Sequence, residues 1–542
     1  MSLELDRRLL LKAGAFGLGA LAAPGVAQLL AADGFTHNVA SGEPRARSVM
    51  LWTRYVPRPG ESGRLNFEVS GSPDFSRIAS RGVVAADPER DFCVRPTVRG
   101  LRPGRIYYYR FRDGAGRSSP VGRTRTLPEG PTARFNIAVF SCANLPGGWF
   151  NAYGHAAARD DIDLVLHLGD YFYEYQEGRY PRGHPSMPGR LLDPQSEVWR
   201  LADYRLRFAA YRADPDLQRL HQLFPMVTMW DDHESANNSW SGGAENHQPA
   251  AEGDWAVRKA AAMRAYREWL PVSDEPWESY EIGDLATLFR PETRLTARTQ
   301  PPSYAAALAG QADPVAALTA FRDGPWRDPA RTMMGAEQEA WLAAGLRRSV
   351  RAGTKWQLLG QQVVMGPTLL APEAAGWLTP QTPPELRQQI GLGVIAARLG
   401  LPLTLDTWDG YPAARERLLR AALDADANLL VLSGDSHNAW AYDLSLAGAA
   451  AGAEFAGQSV TSHGYETYLP WVPPAELARA MVAFNPALKW AELGSRGYLT
   501  VALTPEQARG EWLFLETIRE RSTRIAARHE MRVMRGTNRL SA

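Results

Sequence analysis

Hydrophobic and polar positions follow two different grammars along this chain. Between residues 35 and 127 they alternate in short runs, such as Ser48-Val49-Met50-Leu51-Trp52-Thr53-Arg54, Arg64-Leu65-Asn66-Phe67-Glu68-Val69 and Arg105-Ile106-Tyr107-Tyr108-Tyr109-Arg110-Phe111. Period-two alternation, β-branched and aromatic residues and bounding Pro/Gly turns predict strands. After Pro128-Glu129-Gly130-Pro131, which reads as a linker, buried-type strands alternate with helices, the signature of α/β layering.

In this second region Arg134-Phe135-Asn136-Ile137-Ala138-Val139-Phe140, Asp163-Leu164-Val165-Leu166-His167-Leu168, Pro225-Met226-Val227-Thr228-Met229-Trp230 and Asn428-Leu429-Leu430-Val431-Leu432-Ser433 read as strands. Trp356-Gln357-Leu358-Leu359-Gly360-Gln361-Gln362 reads as a further one. Helices are expected over 151–159, 336–351 and 415–425. Leu201, Tyr204, Phe208 and Tyr211, then Trp255, Ala262, Met263, Tyr266 and Trp269, recur at helical spacing and predict two more, with their aromatic stripes in the core. The tract 447–452 reads as a loop. The stretch 519–539 reads as a solvated basic helix face.

Length and composition set the frame. A chain of 542 residues exceeds one small core, and 45% hydrophobic with 22% charged residues is ordinary for a soluble globular protein. A formal net charge of +1 gives no sign of a nucleic-acid-binding module. The turn Leu101-Arg102-Pro103-Gly104 resembles the entry to a late strand of a fibronectin type III domain, so 33–128 is expected to be a β-sandwich. Residues 129–542 then form a catalytic domain ending in a helix.

The N-terminus carries Asp6-Arg7-Arg8-Leu9-Leu10-Leu11-Lys12, a Gly/Ala/Leu run to Ala23, then Pro24. It resembles a twin-arginine export signal over 1–32, cut after Ala27 or Ala32. The apolar run is short for a membrane span, which needs about 20 residues. The expectation is a periplasmic or secreted protein that meets the twin-arginine export machinery and keeps no stable span when mature. Two cysteines, Cys93 and Cys142, would pair by default in an oxidising compartment. Cys142, however, follows a strand, where a ligand or nucleophile is expected.

Four strands end in ligand-type residues: Ser141-Cys142, Gly169-Asp170, Asp231-Asp232-His233-Glu234 and Gly434-Asp435-Ser436-His437. A Gly-Asp turn explains any one of them. Four at carboxyl ends of buried strands point instead to one crevice. Clustered carboxylates repel unless cations neutralise them. Carboxylates with a Tyr phenolate and a Cys thiolate suit trivalent iron beside harder divalent ions. A carboxylate such as Asp170 can bridge two metals that clamp a phosphoryl group and generate a hydroxide to attack it.

Taken in order, these runs resemble the PhoD-like alkaline phosphatases of the metallophosphoesterase superfamily. The resemblance starts at Phe35-Thr36-His37-Asn38-Val39-Ala40-Ser41-Gly42-Glu43-Pro44 and Leu51-Trp52-Thr53-Arg54. It continues through His167-Leu168-Gly169-Asp170-Tyr171-Phe172-Tyr173-Glu174-Tyr175 and Trp230-Asp231-Asp232-His233-Glu234 with Asn237-Asn238, to Gly434-Asp435-Ser436-His437. It implies a four-layer αββα sandwich after the β-domain, similar to purple acid phosphatases. It also implies ferric iron (Fe3+) and calcium (Ca2+), with phosphate released from monoesters and often diesters.

Carried onto this chain, the resemblance makes Cys142, Asp170, Tyr173, Asp232, Asp435 and His437 metal ligands, with Asn237 or Asn238 completing a calcium shell. His233, Asp232 and Asp170 carry catalysis, and His233 faces the phosphoryl group. Arg294, on the loop after Leu288-Phe289, is expected to hold the phosphate of a small ester substrate.

Departures exist. Where the wider pattern has a metal histidine before the closing pair, the chain has Gln361 and Gln362. His463 stands where a small residue is expected, and reads equally as a substrate contact or a loop histidine. A phosphodiesterase or phospholipase D-like enzyme on lipid or polymer substrates is the alternative within the class. A non-catalytic binding protein is the alternative outside it, and would require the ligand residues to be lost. No Gly-x-Ser-x-Gly elbow supports a serine nucleophile.

Overall fold

The structure, a computed structural model, describes residues 32–180 and 185–541. The twin-arginine motif lies outside the described residues. Eight strands come first: β1 Gly34–Gly42, β2 Ser48–Val56, β3 Arg64–Ser70, β4 Ile78–Ala85, β5 Cys93–Val94, β6 Thr97–Arg99, β7 Ile106–Arg112 and β8 Gly122–Arg125. The next group is β9 Phe135–Phe140, β10 Leu164–His167, β11 Pro225–Thr228, β12 Glu278–Ile282, β13 Ala286–Arg290, β14 Trp356–Gly360 and β15 Leu429–Ser433. The chain then runs through β16 Ala439–Leu446, β17 Ala449–Ala456, β18 Leu488–Glu492, β19 Gly497–Leu503, β20 Gln507–Leu515, β21 Ile525–Met534 and β22 Leu540–Ser541.

Two large sheets pack face to face. One runs β22-β21-β20-β19-β9-β10-β11-β1-β2-β5, with β6 also on β2; the other runs β12-β13-β14-β15-β17-β16-β18. The strand patterns dictate this. Ile137, Val139, Leu164 and Leu166 point into the layer between the sheets, where they meet Leu358, Leu430 and Leu432. Their neighbours Ala138, Phe140 and Val165 point the other way, to Tyr153, Phe208 and Trp269 on helices Asn151–Ala157, Leu201–Arg212 and Trp255–Trp269. On the second sheet Leu359, Leu429 and Val431 meet Leu342, Leu346 and Leu418 on helices Gly335–Arg351 and Pro412–Asp424. Both faces of each central strand are buried, so those strands read as unbroken apolar runs. The result is four layers, helix-sheet-sheet-helix.

Two expectations need correction, and a third needs qualifying. The N-terminal strands form two packed sheets around a core of their own, but they are joined to the rest of the fold. β1 pairs in parallel with β11 (Ser41 with Pro225, Gly42 with Met226), and so β1 and β2 extend the large sheet. Only β4-β3-β7-β8 form a separate sheet, packed on that extension through Val39, Leu51, Val69 and Tyr109. The physical reason is that the end of β1, Val39–Gly42, is buried throughout and cannot serve as an exposed edge.

The expected C-terminal helix is the strand pair β20–β21, with Arg509–Glu530 and Arg528–Glu511 ion pairs across it. Alternation of buried Met531 and Val533 with exposed neighbours makes it a half-buried strand. Finally, the tract 447–452 is mostly strand, since β17 already starts at Ala449. Among the described residues no helix is long and apolar enough to cross a membrane.

Candidate functional site

The parallel strands β9, β10 and β11 of the first sheet and β15 of the second deliver their C-terminal residues to one place. The backbone there is strained: Cys142, Asp170, Asp435 and His437 have φ of 58, 52, 60 and 63°. Left-handed backbone costs a non-glycine residue of order 1 kcal/mol or more, so its concentration here points to function. The turns are tied together. Cys142 N–H donates to the Gly169 carbonyl at 3.2 Å and Ala143 N–H to that of Asp170 at 2.8 Å. Glu234 accepts the backbone N–H groups of Asp170, Tyr171 and Asp231 at 3.2, 2.6 and 2.8 Å.

Six residues expected at the site meet there. Three overlapping groups bring ligand atoms within 4.8 Å of one another: Cys142, Asp170 and His437; Asp170, Asp232 and His233; and Asp170, Asp231, Asp232 and Asp435. Asp170 belongs to all three. Tyr173 joins through its hydroxyl, which donates to Asp170 Oδ2 at 3.0 Å and lies 3.1 Å from His437 Nε2. The Nδ1 of His437 faces the His463 carbonyl at 2.6 Å, so Nδ1 carries the proton and Nε2 is the free ligand atom. His463 therefore contributes its backbone to this arrangement.

Electrostatics say what the cluster takes. Burial, then neighbouring Asp232, Asp231 and Glu234, push the Asp170 carboxyl up against the pull of His233. Burial pushes Asp435 up to about 6. Burial and then Asp170 do the same to the Cys142 thiol and the Tyr173 phenol. Asp170 Oδ1 and Asp232 Oδ1 are buried without a hydrogen-bond partner. Anionic groups held together in this way call for cations, and the orphaned oxygens are acceptors of the right kind.

Two residues sit differently from expectation. Arg294 is fully buried among carboxylates, with Nε 2.5 Å from Asp231, Nη1 2.6 Å from Asp406 and Nη2 3.6 Å from Asp435. Its guanidinium is committed to neutralising the cluster, because charges buried this deeply persist only when paired. Its Nη2 is buried at the cluster without a hydrogen-bond partner. Asn237 donates its amide to Glu245 at 3.4 Å and its backbone N–H to Glu174 at 2.8 Å, while Asn238 N–H caps Asp232 Oδ2 at 2.7 Å. Gln361 and Gln362 brace the loops: Gln362 donates to the Trp230 carbonyl and accepts from Thr293, and Gln361 accepts from Trp408.

Sequence reading placed Asp231 within a run of ligand-type residues without a role of its own, and gave Glu174 none. Glu174 is buried and accepts His233 Nδ1–H at 2.6 Å, with Asn246 on its other oxygen at 3.0 Å. Burial opposes a charge on His233, but Asp232, Glu174 and Asp170 together raise its pKa well above the ordinary value. The signal for Glu174 was its place within the tyrosine-rich run, masked by the adjacent Tyr173 and Tyr175. Cys93 and Cys142 are both free thiols, as expected for a Cys142 kept for the site.

Comparison with known proteins agrees with this geometry. Residues 137–512 match the family described as PhoD-like phosphatase, and residues 20–128 match the PhoD-like phosphatase N-terminal domain. Alkaline phosphatase D of Bacillus subtilis (strain 168) is 32% identical over 527 residues, covering 91% of this chain and 80% of that protein. Among solved structures, that of PhoD aligns with a TM-score of 0.75 at 29% identity, over 94% of this chain and 92% of the other. A purple acid phosphatase from yellow lupin (Lupinus luteus) seeds shares the fold, with a TM-score of 0.53 at 12% identity over 92% and 74% of the two chains.

Proposed function

Because the chain belongs to the PhoD-like phosphatase family, and is therefore a phosphoric ester hydrolase, we propose that it is an exported, metal-dependent alkaline phosphatase acting on phosphomonoesters and also on diesters. The observation that carries this reading is the sharing of Asp170 by every candidate metal group among the described residues. Cys142, Tyr173, His437 and Asp170 make an anionic set with one soft donor, suited to ferric iron. Asp170 with Asp231, Asp232 and Asp435 makes an all-oxygen set, suited to calcium. When bound, such ions supply Lewis acidity for the phosphoryl oxygens and acidify water.

The chain's own residues supply orientation and a proton. Glu174 holds His233 by Nδ1, leaving Nε2 as the nitrogen that can face a phosphoryl or leaving oxygen. Glu174, hydrogen-bonded to Nδ1, is a carboxylate partner that favours the protonated ring. Arg294 fixes Asp231 from behind. The paired Arg7-Arg8 and short apolar run support export by the twin-arginine route.

The test is phosphate release from an aryl monoester and an aryl diester at mildly alkaline pH, with and without a chelator, alongside elemental analysis. Loss on chelation and recovery with calcium are expected. Full turnover by protein shown to be metal-free would overturn the reading.

A further inference from the structure

The segment that follows β17, residues 457–464, is laced to the turn that carries Cys142. Val460 N–H donates to the Ser141 carbonyl at 3.0 Å, and Thr461 Oγ1 to that of Asn144 at 2.6 Å. The Thr461 and Ser462 N–H groups both reach the Cys142 carbonyl, at 3.4 and 3.3 Å. The His463 carbonyl holds His437 through Nδ1. Ser462, fully buried, adds a side chain to this backbone frame. Its hydroxyl lies 2.7 Å from the Tyr173 phenol oxygen and 2.9 Å from the Cys142 carbonyl. One serine thus touches two of the residues suited to ferric iron, and its neighbour orients a third.

A serine hydroxyl has one proton to give, and its surroundings decide where that proton goes. The Cys142 carbonyl already accepts two backbone N–H groups. The Tyr173 oxygen is placed differently, because its other two partners, Asp170 Oδ2 at 3.0 Å and His437 Nε2 at 3.1 Å, are both acceptors. While Tyr173 keeps its phenol proton, those acceptors compete for it. As a metal ligand Tyr173 has given the proton up. Among the partners of that oxygen in the described residues, only Ser462 can then donate to it. The ring packs on His233 and Tyr180, at centroid distances of 4.2 and 5.4 Å, which holds its oxygen toward the serine.

We propose that Ser462 is a positioning residue that donates a hydrogen bond to the Tyr173 phenolate and so tunes the ferric site to which this phenolate belongs. This role rests on the ferric reading of the cluster and adds a residue which that reading did not use. A charge-assisted O–H···O⁻ bond draws electron density from the phenolate. A less donating phenolate leaves the cation a stronger Lewis acid and easier to reduce, as hydrogen bonds to ligands do at metal sites in general.

The test uses the full-length, iron-loaded protein and reads the visible phenolate-to-ferric charge-transfer band and the reduction potential, with elemental analysis beside them. In Ser462→Ala the phenolate loses its donor, so the band should move to longer wavelength and the potential should fall. The same variant should lower kcat about tenfold. Ser462→Thr, which keeps the hydroxyl, should stay with the wild type in all three. Iron lost from Ser462→Ala and kept in Ser462→Thr would equally tie the hydroxyl to the ligand. An unmoved band and potential in Ser462→Ala, or equal changes or equal loss of iron in both variants, overturns the tuning role and leaves the ferric reading standing. A wild type that takes up no iron, or takes it up without such a band, overturns both.

Discussion

The crevice has two walls made by the same device and finished differently. In each, a buried strand runs into Gly-Asp: β10 into Gly169-Asp170 and β15 into Gly434-Asp435. On the first wall Gly169 has φ 107°, and a Cβ there would lie 2.5 Å from the Asp231 backbone nitrogen. Asp170 beyond it is 1% exposed, in a turn clasped by Glu234. On the second wall a Cβ at Gly434 would meet the Ser141 side chain at 2.5 Å, Asp435 is 23% exposed in its side chain, and its nearest cation is Arg294 at 3.6 Å. The neighbouring strand β14 ends in two glutamines that brace loops and offer no ligand. The first wall therefore fixes the geometry, and the second admits ligands.

The largest test of this inequality is paired. Asp170→Asn should lose bound metal and lower kcat by on the order of 10³-fold. Asp435→Asn, removing a more exposed carboxylate from one group, should cost about 10–100-fold and keep part of the metal. Elemental analysis beside steady-state rates reads both. Equal losses would abolish the distinction between the walls.

The glycines sharpen it next. Gly169→Ala combines a left-handed backbone with a collision against main chain and should destabilise the fold by about 3 kcal/mol. Gly434→Ala meets a side chain and should cost about 1–2 kcal/mol. Denaturant midpoints with unchanged m-values would report the difference.

How much of this was legible beforehand follows from how local each signal is. β9, β10, β11 and β15 could be read because apolar runs with ligand residues at their ends are contiguous in the chain. So could the convergence of Cys142, Asp170, Asp232 and His437, since carboxyl ends of strands in layered α/β folds meet. The pairing of β1 with β11 joins segments some 180 residues apart, and no local pattern specifies it. β21 was misread because its Arg and Glu residues favour helices on their own, while cross-strand ion pairs with β20 decide the matter. The surroundings of Arg294 were hidden for a similar reason. A loop arginine is ordinarily solvated, and only the fold brings Asp231, Asp406 and Asp435 around it.

A smaller effect probes what the first wall does for chemistry. Glu174→Gln keeps the shape of the side chain but removes its charge, and should lower kcat about 10–100-fold. Glu174 is one of the groups raising the His233 pKa, so the variant lowers it. If His233 donates the proton, activity fails once it deprotonates, and the alkaline limb of the kcat profile should shift to lower pH. A reduced kcat with an unmoved limb would assign Glu174 to positioning alone and take the proton away from His233.

The smallest effect separates the two halves by pH. His155, on the helix over the first sheet, is brought down to about 4 from 6.5 by burial, then by Arg159 and Arg528. The folded state binds that proton less well than the unfolded chain. Its contribution to stability is whole above pH 6.5 and is lost as pH falls through about 4. Glu454 on β17 of the second sheet has the opposite sign. Burial raises it from 4.5 to about 7, so its contribution is whole below pH 4.5 and is lost as pH rises through about 7. Acid should loosen the first half and mild alkali the second. For His155 the full linkage is about 3 kcal/mol, reduced to about 1–2 kcal/mol because the ring is partly open to solvent. His155→Gln should therefore lose about 1 kcal/mol less than the wild type between pH 7 and pH 4.5 in denaturant titrations. Hydrogen exchange should show residues 151–157 opening first at pH 4.5 and residues 449–456 opening first at pH 8. Identical opening of both segments at both values would mean that the halves differ in geometry alone.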